Sequence, residues 1–349
     1  DIYEGEGLKG IPRGTVKSLR LHAYEYAYVK TRSDHNWHGI QSGWDIKRML
    51  GTVPVEEDGS VIFKAPANTP ISIQPLDKDG VAIQWMRSWV TGQPGEVVSC
   101  IGCHEDQNQI AIPKRVIASQ KAPSALTLPE GGTRSFTFDL EVQPILDRAC
   151  IACHNGEGKA FDLRGGKKDK LGYGTSYLNL HPYVHRQGGE GDMVVLQPYE
   201  YHPNTSELVR LLKKGHHNVK LTDKEWKTLY NWIDYNAPDK GYFNANVLTD
   251  LPYKGFDQIK RRKELTDKYA NGAGVDWKKE IADYADYLKK QGPITPVMPE
   301  KAAPVKEKTL KVKGWPFGAD RIKEMLAKEK ETRKVVEIAP GVKVNFVRI

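Results

Sequence analysis

All four cysteines of this chain fall in two copies of one pattern, Cys100-Ile101-Gly102-Cys103-His104 and Cys150-Ile151-Ala152-Cys153-His154. Two sulfurs three positions apart reach the two vinyl groups of one porphyrin, while the next imidazole turns in to bind its iron. The pattern predicts two covalently bound haem c groups, tethered at Cys100, Cys103, Cys150 and Cys153, with His104 and His154 as iron ligands. Two other chemistries use such cysteine pairs. A four-cysteine zinc ribbon needs no histidine after each pair, and the stretch from Cys103 to Cys150 exceeds its usual spacer. A redox-active or structural disulfide also uses Cys-x-x-Cys but gives the following histidine no role.

Helices must present the second motif. Val142, Ile145, Leu146 and Ala149 share one helical face leading into Cys150, and Pro144 fits only if it lies in the first turn. A helix running into Cys-x-x-Cys-His is the entry of a class I cytochrome c. Further on, Thr205 or Asn204 is placed to cap a helix carrying Leu208, Leu211 and Leu212, which Gly215 can end in the left-handed conformation. Thr222 and Glu225 form a capping box, followed by Trp226, Leu229, Tyr230 and Ile233 at helical spacing up to Pro238. The loop between these helices, where a small cytochrome usually offers methionine, holds His216 and His217. Either would make bis-histidine iron, a six-coordinate carrier of lower potential than the His/Met pairing, and the reading leans to His217. Met193, His181, His185 and His202 read as surface or supporting residues. For the first haem the opposite side is filled by His22, His35 or His38, or stays open.

Upstream, residues 16 to 90 alternate like strands at Val16-Lys17-Ser18-Leu19-Arg20-Leu21, Ser60-Val61-Ile62-Phe63 and Ile71-Ser72-Ile73-Gln74, with turns at Asp58-Gly59 and Asp79-Gly80. The expected fold is α+β, a small β-sandwich-like domain followed by mostly helical dihaem cytochrome c modules and an extended C-terminal segment. Its parts are a β-domain over 1 to 90, the first haem segment and linker over 91 to 137, and a class I-like cytochrome module with the second haem over 138 to 240. A helical segment over 241 to 290, carrying Tyr269, Trp277, Ile281, Tyr284 and Leu288, is expected to pack across the haem modules. The Pro- and Lys-rich stretch over 291 to 349 wraps or links. Its last part, Val335 to Ile338 and Val342 to Val347, reads as two strands without partners at the start of a further domain.

The 349 residues carry 52 basic and 44 acidic side chains, a formal charge of +8, with 39% hydrophobic content, 8 Trp and 16 Tyr. That is enough for real cores and two or three domains. The lysines spread along the chain, so the charge reads as solvated surface and not as a nucleic-acid stripe, while a basic face helps dock an acidic redox partner. No apolar run approaches a membrane span. Covalent haem attachment of this kind occurs outside the bacterial cytoplasm, so the expected location is periplasmic or extracellular, with an export signal once preceding Asp1. Gly165-Gly166-Lys167-Lys168 lacks the spacing of a phosphate loop, and no dinucleotide fingerprint occurs.

Several strings are also familiar: Gly51 to Ser60 (GTVPVEEDGS), Pro66 to Pro70, Met86-Arg87-Ser88, Pro94-Gly95-Glu96, Val142 to Asp147, Ser206-Glu207-Leu208 and Gly215 to Leu221 (GHHNVKL). They resemble the C-terminal dihaem region of hydrazine synthase alpha-subunit-like proteins, over roughly residues 5 to 240. The resemblance implies a secreted protein with an upstream β-propeller-like part and two c-type haems of unequal roles. In hydrazine synthase itself the resemblance implies a catalytic first haem, with a tyrosine four residues past the motif histidine on iron and that histidine turned to zinc. Asn108 stands at that place here, so the pattern is more similar to a broader set of planctomycete-type relatives, often followed by a domain similar to formylglycine-generating enzyme.

Three functions follow as expectations. The first is electron transfer by a dihaem cytochrome with a redox partner protein. The second is a haem enzyme acting on a small nitrogen or oxygen compound at the first haem, the second haem relaying electrons. The third makes the haems structural anchors in a larger envelope assembly or homo-oligomer.

Overall fold

The computed structural model describes residues 1–25, 39–40, 46–104, 108, 114–158, 160–170, 172–188, 195–241, 264–265, 267–269, 275–300, 318–328, 333–339 and 342–347. The chain divides into two compact units, Asp1–Lys301 and Ala302–Ile349.

In the first unit the alternating segments form one four-stranded antiparallel sheet. It comprises β1 (Ser18–Glu25), β2 (Ile46–Pro54), β3 (Ile71–Leu76) and β4 (Arg134–Ser135), in the order β3-β1-β2-β4. Among the described residues this is a single sheet and not the sandwich expected. The expected strand at Ser60 to Phe63 reduces to one bridge, from Phe63 to Ser124. The stretch read as a linker is instead built into the sheet. Thr52 and Thr127 exchange backbone hydrogen bonds of 2.9 Å, and residues 134 and 135 supply β4.

Both faces of the sheet are covered. Leu19, Leu21 and Ala23 point into a core with Ile2, Leu8, Val16, Leu50, Val53 and Ile83. The residues between them, Arg20 and His22, are buried on the opposite face. There they meet the closing helix of the helical part, to which Arg20 is joined through Asp234 at 2.9 Å.

That helical part contains α1 (Phe138–Glu141), α2 (Gln143–Ala149), α3 (Thr175–Leu180), α4 (Glu207–Lys213) and α5 (Asp223–Asp234). Pro144 lies in the first turn of α2, where its missing N–H costs nothing. Thr222 and Glu225 form the capping box of α5. The N-cap of α4 is Ser206, not Asn204 or Thr205, and its hydroxyl accepts from the His185 N–H at 3.0 Å. Phe138, Val142, Leu146, Tyr177, Val209, Trp232 and Ile233 are the centre of a second core, which also takes Met49 from β2. Trp232 donates its indole N–H to the Pro238 carbonyl at 2.9 Å, and the Tyr177 hydroxyl donates to the Ala237 carbonyl at 2.9 Å. Both aromatic side chains therefore keep their polar atoms satisfied inside this core.

Helix α6 (Trp277–Lys290) docks on the sheet edge and α1. Its Glu280 accepts from Arg48 and Thr133, and its Tyr284 hydroxyl donates to Glu141, which also pairs with Arg134. Tyr269 is 67% exposed, so it packs against no core. Among the described residues, no helix is long and apolar enough to cross a membrane.

The second unit contains α7 (Ala319–Lys328) and a hairpin of β5 (Arg333–Ala339) and β6 (Val342–Val347). The two strands expected to lack partners are each other's partner.

Candidate functional site

The second cysteine motif grows directly out of α2. The Cys150 N–H donates to the Leu146 carbonyl at 2.8 Å, and the His154 N–H to the Cys150 carbonyl at 2.9 Å, so a helical turn carries the chain through the motif. Cys150 is half-buried and Cys153 exposed, and neither is in a disulfide. Burial pushes the Cys150 thiol up to about 12, against the opposing pull of Arg148. A thiol held that far from its thiolate is a poor exchange nucleophile.

The ring of His154 is held from one side. Its Nδ1 lies 3.1 Å from the Phe161 carbonyl, which can only accept, so Nδ1 carries the proton and Nε2 keeps its lone pair. The Phe161 ring packs on His154 at 4.7 Å between centroids and stacks on Tyr183. A metal-binding histidine is normally oriented by such a bond from its far nitrogen. Sequence reading missed Phe161 because a backbone carbonyl has no sequence signature.

Facing this ring is the turn between α4 and α5. Gly215, His217 and Asn218 all have positive φ, at 94°, 44° and 64°. For His217 and Asn218 this is a strained backbone, and it sends consecutive side chains in different directions. His216 comes to 6.0 Å from His154 between ring centroids, while His217 sits 4.6 Å from His216 and is exposed. Two imidazoles on opposite sides of one metal ion, each bonded at about 2 Å, have centroids roughly 6 Å apart. Burial first, then His217 and His154, pulls the pKa of His216 below the ordinary imidazole value, which favours the neutral ring a metal needs. The spacing of His154 and His216 fits two imidazoles holding one iron, and Cys150 and Cys153 would tether the porphyrin around it.

The first motif is built differently. Cys103 packs against the sheet core, and burial, followed by the neighbouring Cys100, pushes its thiol up to about 11. The N-terminal loop lies across it, with the Gly7 N–H donating to the Cys103 carbonyl at 2.8 Å and the Glu6 N–H to the His104 carbonyl at 3.2 Å. A Cβ on Gly102 would come 1.8 Å from the Glu4 carbonyl oxygen, so this close approach requires glycine. His104 is exposed with φ 62°.

Of the histidines weighed for its opposite side, His22 is enclosed between the rings of Tyr24 and Tyr235 in the sheet's helix-facing layer, not beside His104. His35 and His38 lie outside the described residues, as does Met193. His181 accepts from Arg186 at 2.6 Å, and burial followed by Arg186 lowers its pKa to about 4. His185 bonds Thr205, and His202 accepts from the Asn204 N–H. All three have supporting roles.

The two cysteine pairs belong to different cores, and among the described residues no three His, Cys, Asp or Glu side chains converge as a metal-binding group. A four-cysteine zinc site is therefore not assembled.

Residues 14 to 105 match the hydrazine synthase alpha subunit middle domain. This span holds β1, β2, β3 and the first motif and stops before the second, whereas the resemblance in the motifs points to a C-terminal dihaem region. The match supports a hydrazine synthase-like relationship for that part of the chain. A solved structure, Kuenenia stuttgartiensis hydrazine synthase, is similar at 16% identity and a TM-score of 0.47, covering 68% of this chain and 41% of that one. The chain thus spans about two-fifths of the length of the structure it resembles. No curated protein matches.

Proposed function

We propose that this protein is a dihaem c-type cytochrome that transfers electrons outside the cytoplasm, to or from a redox partner protein. The observation that carries the proposal is the pairing of His154 and His216 across 6.0 Å beside Cys150 and Cys153. When bound, haem supplies a one-electron couple at iron. The chain's own residues do the rest. Cys150 and Cys153 tether the ring, Phe161 fixes the tautomer of His154, and the left-handed turn at 215 to 218 aims His216 at it. His154 and His216 are the residues that would hold the second iron, and an iron held by both would serve electron transfer and not substrate binding.

The first site supports the alternative, a haem enzyme acting on a small nitrogen or oxygen compound there. His104 is its motif ligand, and among the described residues His22 is locked away from it. Asn108 stands where the resemblance calls for tyrosine, so hydrazine formation itself is not proposed.

Electron paramagnetic resonance of the oxidised, natively matured protein tests both readings. Two low-spin ferric signals, unchanged by hydroxylamine or nitric oxide, support electron transfer alone; one high-spin signal supports an open first iron. His216→Ala should turn the second haem high-spin while His217→Ala leaves it low-spin. A protein lacking two covalent haem additions by mass refutes the proposal.

A further inference from the structure

The extended run that follows α6 meets the second site at three points: the helix before the motif, the motif itself and the ligand turn. Gly292, at φ 90°, turns the chain out of the helix, and Pro293, Pro296 and Pro299 stiffen it into an extended rod. The Val297 N–H donates to the Arg148 carbonyl at 2.7 Å, one of the terminal carbonyls that α2 cannot satisfy itself. The Glu300 carbonyl accepts from Asn218 Nδ2 at 3.3 Å, in the same turn that presents His216. Between these anchors the Met298 sulfur lies 4.0 Å from the Cys153 sulfur. On the other side Ile294 and Pro296 join Ile151, inside the motif, and Asp147 around a cavity of about 570 Å³.

The run therefore spans from the tethering helix to the ligand turn. It does so with large apolar side chains that the protein leaves open. Ile294 is 48% exposed, Val297 50% and Met298 66%. An extended, proline-anchored segment has no core of its own, and three such side chains along one run, with Met298 at a tethering cysteine, call for an apolar neighbour.

We propose that residues 293 to 300 are a strap over the edge of the second porphyrin, with Met298 lying against the Cys153 thioether and keeping water from it. The inference rests on the dihaem reading above. Its consequence is electrostatic. Bis-histidine ferric haem carries one more positive charge than ferrous, so excluding water disfavours the oxidised form and raises the potential. Met298 is here a shielding residue and not an iron ligand.

The test uses the full-length, natively matured protein. Haem stoichiometry by pyridine haemochrome is measured first, followed by a spectroscopic redox titration of wild type, Met298→Ser and Val297→Pro. Met298→Ser makes the contact polar, and Val297→Pro removes the N–H that ties the strap to Arg148. Cys150→Ala/Cys153→Ala, which should lose one titration wave, identifies the wave of the second haem. Both strap variants should keep two haems and a low-spin second iron and should shift the second wave alone to lower potential. A second wave that stays in place or rises, or a shift confined to the first wave, overturns the strap. A high-spin signal in Met298→Ser that wild type lacks would make this residue a ligand and also overturns it. Fewer than two haems in wild type would instead refute the dihaem reading.

Discussion

Acidification should weaken this fold through His22 in a way that one substitution isolates. The ring is fully buried, and among the described residues neither of its nitrogens has a hydrogen-bond partner. Burial first, and then the positive charges of Lys47 and Arg20, hold its pKa well below that of a free imidazole. Above the unfolded pKa of about 6.5 both states are neutral and the group contributes nothing. Below it the unfolded chain takes a proton that the buried ring refuses, and stability falls by about 1.4 kcal/mol for each pH unit. From pH 7.5 to pH 5 only the part beneath about 6.5 counts, so His22 costs about 2 kcal/mol over that range. His181, with its pKa lowered to about 4, adds a parallel loss that is common to any pair of proteins differing only at position 22. Urea unfolding followed by tryptophan fluorescence at both pH values, for wild type and His22→Leu, measures the difference. The leucine variant should lose about 2 kcal/mol less on acidification. It should be at least as stable as wild type at pH 7.5, because leucine leaves no orphaned nitrogen. Equal pH dependence of the two proteins would refute the reasoning.

Arg20→Met should destabilise by about 3–5 kcal/mol in chemical denaturation, since it strands the buried Asp234 carboxylate that Arg20 pairs with at 2.9 Å. An unchanged midpoint would show that this pair does not hold the sheet to α5. His217→Gly should raise thermal stability, by about 1 kcal/mol, by relieving a left-handed backbone at φ 44°. Low-spin iron should persist in that variant, and loss of the low-spin signal would assign ligation to His217. Gly102→Ala forces a Cβ against the Glu4 carbonyl at 1.8 Å and should free the N-terminal loop, read as new protease cleavage within the first ten or so residues. Glu225→Ala removes both half of the capping box and the partner of Arg148. It should cost about 1–2 kcal/mol, measured by thermal unfolding.

Local signals in the sequence carried the helices of the second site. The capping box at Thr222, the glycine stop at 215 and the apolar face of α2 are each set by neighbours within a few positions, and each stands where it was expected. What alternation could not convey is what covers a face. Leu19 and Leu21 against Arg20 and His22 reads as one dry and one wet side, yet Gln74, His22 and Ser72 are as buried as the leucines, because the end of α5 with Tyr235 covers Gln74 and His22 and the Met86 backbone meets Ser72. The periodicity is the same whether water or a helix lies beyond. For the same reason the sequence implied a second sheet to protect the first, where the structure uses a helical layer.

The choice between His216 and His217 shows a different limit. Adjacent histidines have identical chemistry, so only the backbone decides which one faces His154. That backbone takes positive φ at Gly215, His217 and Asn218 in near succession, a conformation that histidine and asparagine seldom adopt unaided. The turn is held from outside. The Asn218 N–H returns to Gly215, the Val219 N–H returns to His216, and the Asn218 side chain reaches the Glu300 carbonyl some eighty residues on. A strained turn persists only where its surroundings over-determine it, and two of the three ties just named are local. The third comes from the strap. Strap and ligand turn are thus one mechanical unit, so loosening the strap at Val297 should act on the orientation of His216 as well as on water access. In Val297→Pro the low-spin signal should broaden, as the imidazole samples more orientations, while the signal of the first haem stays sharp. An unbroadened second signal would place the restraint on His216 in the local turn alone.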